Sequence, residues 1–373
     1  MLTMDPYTSF TANEFQFDKP KQFGIKELLE DENHDWQAIQ DTFKSAATGF
    51  EELLFKIHYK RKKTLTVLQR SAILKFLSVG YMSTNDIRYF NEFLWFYQEK
   101  DNDKSLKAKC IQVFNANLNK NGCHHLPYQL DQHLPDKIIN SLNEPVYHDV
   151  VPLRICLIGF PPFFGKIMKK LKKEGHHVEQ FFLPYHPNHR INQLLKFRFP
   201  VKLLSVFSGN FYAYRTLDFH YKDERISQVL KAGNFDIGFH KLNFIIKENI
   251  FNAFKKGLLN DHWGYLPLLR GKSTIAYSLL LNIPVVPTIH FIDKGIDSGS
   301  VAGYFPCNYS KAKTVKEVRG ILRKKMPERA VAAIKLTGSA GFVAKDNIKE
   351  KGLTFYEIHP WLNDHIASCI LKQ

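Results

Sequence analysis

The stretch that decides the fold is residues 258–299, LLNDHWGYLPLLRGKSTIAYSLLLNIPVVPTIHFIDKGIDSG. Its first residues and the later segment VVPTIHFI are typical of strands, and KSTIAYSLLL between them carries apolar residues at helical spacing. The predicted order is therefore strand, loop, helix, strand and loop. Three polar side chains, Asn260, His262 and Asp297, lie inside these otherwise apolar segments.

These three side chains are predicted to meet at one place. Asn260 and His262 are two residues apart at the end of a predicted strand, so their side chains leave the same face. Asp297 lies in the turn D-K-G-I-D-S-G, where Gly295 and Gly299 permit a tight backbone path. Acyl transfer to an amine requires an amide donor for the oxyanion, an imidazole that moves a proton, and a carboxylate that orients the imidazole or accepts the amine's proton.

The motifs around these residues resemble those of the formyltransferase family that uses 10-formyltetrahydrofolate, whose members include glycinamide ribonucleotide, methionyl-tRNA and sugar-nucleotide formyltransferases. The family pattern N-x-H-x-S-L-L-P-x-[YW]-x-G, then T-[IV]-H and D-x-G-x-D-x-G, is matched here by N-D-H-W-G-Y-L-P-L-L-R-G, T-I-H and D-K-G-I-D-S-G. The resemblance implies catalytic roles for Asn260, His262 and Asp297. Asp293 could share the carboxylate role, and His290 is interpreted as a structural residue of its strand, one that could line the pocket.

The sequence departs from the family pattern at Gly264, where the family has serine, and at Leu269, where it has an aromatic residue. The loop that resembles the pterin-lining V-x-A-Y-G-x-I-L segment reads GFHKLNFII over residues 238–246. The resemblance implies that 10-formyltetrahydrofolate binds between this loop and the L-P-L-L-R-G turn. The residues assigned to cofactor binding are Phe239, His240, Lys241, Leu242, Leu266 and Arg270. Whether the altered loop still binds folate stays open. Arg270 could bind a ligand or tie its loop together, and Trp263 could stack on a substrate ring or serve in packing.

A second βαβ pattern begins at residue 153, with the apolar strand LRICLIG, a helix from Phe163 to Lys173 and the strand HVEQFFL. Two strands joined by a helix predict a parallel sheet. The fold class is predicted to be α/β, an open and mostly parallel Rossmann-like sheet of the formyltransferase type, preceded by a helical N-terminal domain. No G-x-G-x-x-G pattern follows Gly159, so dinucleotide binding is not expected.

Three units are predicted along the chain. Residues 1–150 form a helical N-terminal domain and linker, residues 151–310 the formyltransferase-like catalytic domain, and residues 311–373 C-terminal helices and a short β-segment. The C-terminal part is predicted to hold two amphipathic helices split by Pro327, because proline commonly ends a helix. What the helical N-terminal unit does stays open.

Composition limits the classes of function. The chain has 373 residues, 44% of them hydrophobic, and a formal net charge of +16. This positive charge could attract phosphates, polyglutamate tails or nucleic acid, or it could reflect a lysine-rich composition alone. No signal-like N-terminus and no membrane-length apolar run is present, so we expect a cytoplasmic protein without a membrane partner. The run Cys123-His124-His125 lacks a second ligand pair, so no metal is expected there.

The predicted activity is that of an enzyme, an N-formyltransferase of one-carbon metabolism. It moves a formyl group from 10-formyltetrahydrofolate to a primary amine of a small substrate, either an amino sugar nucleotide or a specialised metabolite. The alternatives are a tRNA-directed formyltransferase, a formyltetrahydrofolate hydrolase that releases formate, and a non-catalytic scaffold. The identity of the amine and the oligomeric state, including a homodimer, stay open.

Overall fold

The computed structural model describes residues 47–61, 64–98, 104–120, 122, 124–125, 133–142, 150–159, 163–183, 215–217, 224–242, 245–348 and 352–371. The helices in chain order are α1 (Ala47–Lys60), α2 (Val67–Thr84), α3 (Ile87–Phe96), α4 (Lys104–Lys120), α5 (Leu134–Ser141), α6 (Gly165–Lys173), α7 (Arg225–Ala232), α8 (Glu248–Phe251), α9 (Thr274–Leu280), α10 (Val315–Gly338) and α11 (Pro360–His365). A π-helical segment, Ile366–Ile370, follows α11. Within these ranges, no helix combines the length and the apolar character needed to cross a membrane.

The centre of the molecule is a seven-stranded sheet. Its strands are β1 (Arg154–Gly159), β2 (His177–Phe182), β3 (Arg215–Thr216), β4 (Ile237–Lys241), β5 (Leu258–His262), β7 (Thr288–Phe291) and β8 (Val301–Tyr304). They lie in the order β3-β2-β1-β4-β5-β7-β8, with the first five parallel and the last two antiparallel to their neighbours. The prediction of a mixed α/β fold with a mostly parallel sheet is confirmed.

The strand order changes direction beside β1, because the chain runs from β1 to β2 on one side and later places β4 on the other. In open α/β sheets, ligands bind outside the carboxyl ends of the strands at such a point. The last residue of β1, Gly159, has φ +150° and approaches the backbone of Lys241 so closely that a Cβ would lie 2.9 Å from the Lys241 carbonyl oxygen. The sheet therefore brings the ends of β1 and β4 together at the predicted ligand edge.

Helices cover both faces of the sheet. On one face, α6 and α10 pack on alternate residues of the parallel strands, including Ile155, Phe239 and Leu259. On the other face, α7 and α8 pack on the intervening residues, including Ile158 and Leu258. Alternation along β5 consequently directs Asn260 and His262 to the α7–α8 face and Asp261 to the α10 face.

The prediction of two C-terminal helices split by Pro327 is wrong, because α10 is one helix that runs through this proline. Proline has no N–H for the helical hydrogen bond and crowds the preceding turn. Arg329 Nη1 donates a hydrogen bond of 2.8 Å to the Leu322 carbonyl oxygen, in the turn before the proline. The helix continues through Pro327 because buried residues on both sides of it, including Met326 and Ala330, hold it against the core.

The terminal β-segment exists as β9 (Leu353–Phe355), which pairs in parallel with β6 (Leu269–Gly271) in a separate two-stranded sheet. The C-terminal tail thereby lies against the L-P-L-L-R-G turn. Helices α1 to α4 share one hydrophobic core with α9 and with this tail, through buried side chains such as Leu54, Phe90, Tyr277 and Phe355. The division into three units remains a prediction, and the N-terminal part of it before residue 47 lies outside the described residues.

Candidate active site

Three polar side chains lie in one row across three neighbouring strands, near the carboxyl ends of β4 and β5. Strand register pairs His240 of β4 with Asn260 of β5, and Asn260 with His290 of β7. Residues paired in register project to the same face of a sheet. His240 and His290 are buried, whereas Asn260 is half-buried.

Asp297 connects this row to His262. Its Oδ1 lies 3.3 Å from His290 Nε2, and its Oδ2 lies 3.3 Å from His262 Nδ1. Asn260 Nδ2 is 3.2 Å from the same His290 Nε2. The backbone N–H of Gly271 also donates to Asp297 Oδ2, at 2.9 Å. The structure thus brings Asn260, His262 and Asp297 together, with His290 between the amide and the carboxylate.

The turn around Asp297 fixes the direction of the carboxylate. Asp297 has φ +47°, a left-handed conformation that aspartate tolerates better than most residues. Asn347 Nδ2 donates to the carbonyl oxygens of Asp297 and Gly299, each at 2.9 Å. Asp293, the alternative carboxylate, instead accepts hydrogen bonds from Gly295 N–H at 3.0 Å and from Ser298 Oγ at 2.7 Å. These hydrogen bonds stabilise the turn.

Backbone carbonyls set the proton positions on the two histidines. His290 Nδ1 lies 2.7 Å from the Phe291 carbonyl oxygen, and His262 Nε2 lies 2.6 Å from the Leu269 carbonyl oxygen. A carbonyl only accepts, so each of these nitrogens carries a proton. In a neutral ring the other nitrogen is then an acceptor. In the neutral ring, His290 Nε2 can accept from the Asn260 amide, and only a protonated ring can donate from Nε2 to Asp297 Oδ1. His262 Nδ1 directs a lone pair at the Asp297 carboxylate.

The Asp297–His262 pair is therefore a place for one additional proton. Burial opposes ionisation of Asp297, but His262, His290 and the Gly271 N–H outweigh it and hold the pKa of this carboxyl below its usual range. Burial lowers the pKa of His262, although the negative charge of Asp297 acts in the opposite direction. At neutral pH the pair thus consists of a carboxylate and a neutral imidazole, and a proton placed between Nδ1 and Oδ2 would bind both.

The other face of β5 carries a buried ion pair. Arg329 of α10 binds Asp261 with two hydrogen bonds, Nε to Oδ1 at 3.0 Å and Nη2 to Oδ2 at 2.8 Å. Trp263 Nε1 donates to the same carboxylate at 2.7 Å. Lys241 Nζ lies 3.7 Å from Asp261 Oδ2 and 4.5 Å from the centre of the Trp263 ring. Burial opposes ionisation of Asp261, but Lys241 and Arg329 lower its pKa below the usual value.

The six residues assigned to cofactor binding lie in different surroundings. The structure brings His240 into the polar row, while Lys241 faces the Asp261 ion pair on the opposite face. The side chains of Phe239 and Leu266 have no exposed surface. Leu242 is half-buried, and Arg270 is buried with its Nη2 donating to the Gly352 carbonyl oxygen at 2.7 Å. Neither Phe239 nor Leu266 therefore presents accessible surface to a ligand in this structure.

Gly264 differs from the family pattern for a local reason. A Cβ at this position would lie 3.0 Å from His262 Nε2, 3.1 Å from the Leu269 carbonyl oxygen and 2.8 Å from Thr274 Cβ. These are the two atoms of the hydrogen bond that holds the His262 ring and the first side-chain atom of α9. A side chain at this position would displace that hydrogen bond, so glycine at 264 allows the His262–Leu269 hydrogen bond to form.

Sequence reasoning missed the contacts of His290 and the Arg329–Asp261 pair. The position of His290 inside a strand favoured a structural interpretation, yet strand register places it opposite Asn260. Its place in the T-I-H motif was the available signal. Asp261 and Arg329 are 68 residues apart, and no local pattern links them. Among the residues that the structure describes, no group of three histidine, cysteine, aspartate or glutamate side chains could hold a metal ion.

Comparison with known proteins identifies formyltransferases among the solved structures that the chain resembles. Neither a protein-family model nor a curated protein sequence matches it. Glycinamide ribonucleotide transformylase 1 from Symbiobacterium toebii is 16% identical with a TM-score of 0.39, and the match covers 52% of this chain and 94% of that one. A 4-N formyltransferase from Francisella tularensis is 15% identical with a TM-score of 0.42, over 58% of this chain and 87% of that one.

HypX from Aquifex aeolicus, whose structure was determined in complex with tetrahydrofolic acid, is 13% identical with a TM-score of 0.37. That match covers 56% of this chain and only 30% of HypX. All of these similarities concern the fold. We therefore base the function on the geometry of the site.

Proposed function

We propose that this protein transfers a formyl group from 10-formyltetrahydrofolate to the primary amine of a small substrate. The observation that carries the proposal is the arrangement of an amide, an imidazole and a carboxylate at the carboxyl ends of β4 and β5. Asp297 contacts His262 and His290 at 3.3 Å each, and Asn260 lies 3.2 Å from His290. These groups can bind a carbonyl oxygen that gains negative charge and accept a proton from an attacking amine.

The chain offers groups that fit the folate donor at this edge of the sheet. Asn260 and His240 present polar atoms on one face, and the loop after β4 is the segment that resembles the pterin-lining loop. When bound, 10-formyltetrahydrofolate supplies a formyl carbon attached to a nitrogen that can leave. Asn260 would hold the formyl oxygen through its amide N–H, and the loop after β4 would hold the pterin.

In the proposed reaction, the Asp297–His262 pair takes the proton that the amine loses. The pair has room for one proton between Nδ1 and Oδ2, at a separation of 3.3 Å. Both nitrogens of His262 have protein partners, so we propose that Asp297 receives the proton through water and shares it with His262. The same proton is then available for the departing folate nitrogen. His290 positions both Asn260 and Asp297.

An assay with purified protein, 10-formyltetrahydrofolate and a panel of amines tests this proposal. The panel contains amino sugar nucleotides, free amino sugars and small primary amines. Methionyl-tRNA is tested separately. We expect tetrahydrofolate to appear only when an accepted amine is present, and mass spectrometry to find the amine heavier by one formyl group. Tetrahydrofolate and formate formed without any amine would support the hydrolase instead.

Binding is measured separately from turnover, with 5-formyltetrahydrofolate as a stable analogue of the donor. A ligand that binds only the native state stabilises it by about 2.7 kcal/mol at a hundredfold excess over its Kd. We expect thermal unfolding to shift upward with this ligand. The proposed function would be contradicted if millimolar ligand gave no stabilisation and no amine gave turnover.

A further inference from the structure

His240 has a fixed tautomer. Its Nδ1 accepts a hydrogen bond of 3.2 Å from the backbone N–H of Leu242, so in the neutral ring the proton is on Nε2. The side chain is only 3% exposed. Nε2 is buried, and among the described residues no group accepts a hydrogen bond from it. A buried donor that is left unpaired costs about 1–3 kcal/mol, so such a group calls for a functional explanation.

The position of His240 supplies that explanation. It is the penultimate residue of β4 and pairs in register with Asn260 of β5. Asn260 in turn pairs with His290 of β7. Its ring is close enough to His290 and Asp297 for both to influence its titration. The unpaired N–H therefore belongs to the same face and the same edge of the sheet as the amide of Asn260. Neighbouring strands are about 4.8 Å apart, so two donors on adjacent strands can reach one oxygen atom between them.

We infer that His240 is a further catalytic residue, whose Nε2–H donates a hydrogen bond to the formyl oxygen beside the amide of Asn260. The inference rests on the proposed function, because it assigns a second donor to the same reacting oxygen. An oxygen that gains negative charge is held more strongly by two preorganised donors than by one. No bond to His240 forms or breaks, and the ring neither gains nor loses a proton.

A neutral histidine suits this role because its N–H is present over the whole working range of pH. Burial, reinforced by the charges of Lys241 and His290, lowers the pKa of His240 to about 3. The ring therefore stays neutral above pH 5, with the proton on Nε2. This differs from His262, whose free proton site faces a carboxylate and is suited to proton transfer.

The kinetic test compares His240→Leu and His240→Gln with the wild type. Removal of one donor to a developing oxyanion lowers kcat by about a hundredfold or more, and we expect this loss for His240→Leu with a small change in KM for the folate. His240→Gln keeps an N–H donor of similar reach and is expected to recover much of kcat. Leucine removes an unpaired buried polar group, so this variant should fold.

His176→Leu is the matched control. His176 is also buried, and its Nδ1 likewise accepts a backbone N–H, that of Leu153, at 3.1 Å. It lies just before β2, at the opposite end of the sheet from the site. His176→Leu should leave kcat near that of the wild type. Equal kcat for wild type and His240→Leu would overturn the inference and leave the proposed function intact.

Nitrogen-15 NMR of labelled histidine provides a second measurement. We expect the His240 signal, assigned by its loss in His240→Gln, to report a proton on Nε2 from pH 5 to pH 8 and to shift when 5-formyltetrahydrofolate is added. A signal unchanged by saturating ligand would mean that this N–H does not contact the ligand, and would overturn the inference. A wild type that neither binds this ligand nor turns over would remove the proposed function and this inference together.

Discussion

Arg329 and Asp261 form a two-hydrogen-bond ion pair that joins α10 to the strand carrying the candidate catalytic residues. The Nε–Oδ1 and Nη2–Oδ2 distances are 3.0 and 2.8 Å, and the two side chains are 3% and 0% exposed. Asp261 lies between Asn260 and His262 in β5. The ion pair therefore holds the backbone from which both candidate catalytic side chains project, on the face of the sheet opposite to the candidate site.

We predict that Arg329→Met lowers the free energy of unfolding by about 3–5 kcal/mol, because it leaves the Asp261 carboxylate buried without its main partner. Urea unfolding measures this. The double variant Asp261→Asn/Arg329→Met should recover part of the loss. Lys255→Met, which removes an exposed ion pair with Asp236, should cost about 1 kcal/mol or less. Equal losses for Arg329→Met and Lys255→Met would show that the buried pair contributes no more than a surface pair.

The candidate catalytic residues can be tested against a carboxylate in the same turn. We predict that Asn260→Ala, His262→Ala and Asp297→Ala each lower turnover by about a hundredfold or more, because each removes a group placed at the reacting atoms. Asp293→Ala should lower it much less, since Asp293 accepts its hydrogen bonds from Gly295 and Ser298 of its own turn. Circular dichroism and thermal unfolding of each variant separate loss of chemistry from loss of fold. Normal turnover in any of the first three variants would refute that residue's role.

Acid sensitivity follows from buried neutral histidines. Burial lowers the pKa of His240 to about 3 and of His125 to about 4, both below the unfolded value of about 6.5. The unfolded state therefore binds protons first, and each histidine costs about 1.4 kcal/mol of stability per pH unit as the pH falls below 6.5. The lowered pKa of Asp297 acts in the same direction but only below about pH 4, where the unfolded carboxylate begins to take up protons.

The measurement is urea unfolding of the wild type and of His240→Gln at pH 8, 6.5, 5.5 and 4.5. Below pH 6.5, we expect the wild type to lose about 1.4 kcal/mol per pH unit more than the variant, which lacks one of these groups. The comparison at pH 8, where His240 is neutral in both folded and unfolded states, gives the effect of the substitution itself. Parallel curves throughout would mean that His240 titrates normally.

Sequence patterns predicted the elements of the sheet because alternation is a local property. The β1–α6–β2 unit and the shared face of Asn260 and His262 follow directly from residue spacing along each strand. The row of His240, Asn260 and His290 depends on strand register, which is decided by packing across the sheet. That is why His290 was interpreted only as a structural or pocket-lining residue.

Pro327 illustrates a second limit of sequence reasoning. A proline inside a helical pattern normally predicts the end of the helix, since a hydrogen bond is lost. Here the helix continues, and Arg329, two residues after the proline, links the preceding turn to Asp261 of a distant strand. The local rule fails because tertiary packing of α10 on both sides of Pro327 outweighs the lost hydrogen bond.

The N-terminal helices illustrate a third limit. Helical periodicity shows that a face is apolar but not what covers it. In the structure, α1 to α4 share a core with α9 and the C-terminal tail. Asn91 of α3 adds polar contacts to the tail: its Nδ2 donates to the Glu357 carbonyl oxygen at 3.2 Å, and its Oδ1 accepts from His359 N–H at 2.7 Å.

Limited proteolysis tests whether the helical part is an independent unit. The proline-rich and glycine-containing segment between residues 119 and 150 is the expected site of cleavage. We predict that the two fragments remain together on size-exclusion chromatography while separating on a denaturing gel, because separation would expose the core that α1 to α4 share with α9. Asn91→Leu, which breaks two contacts to the tail, should make the nicked protein dissociate at lower urea. If the two fragments of the nicked wild type elute separately and each is still folded, the N-terminal part is an autonomous domain.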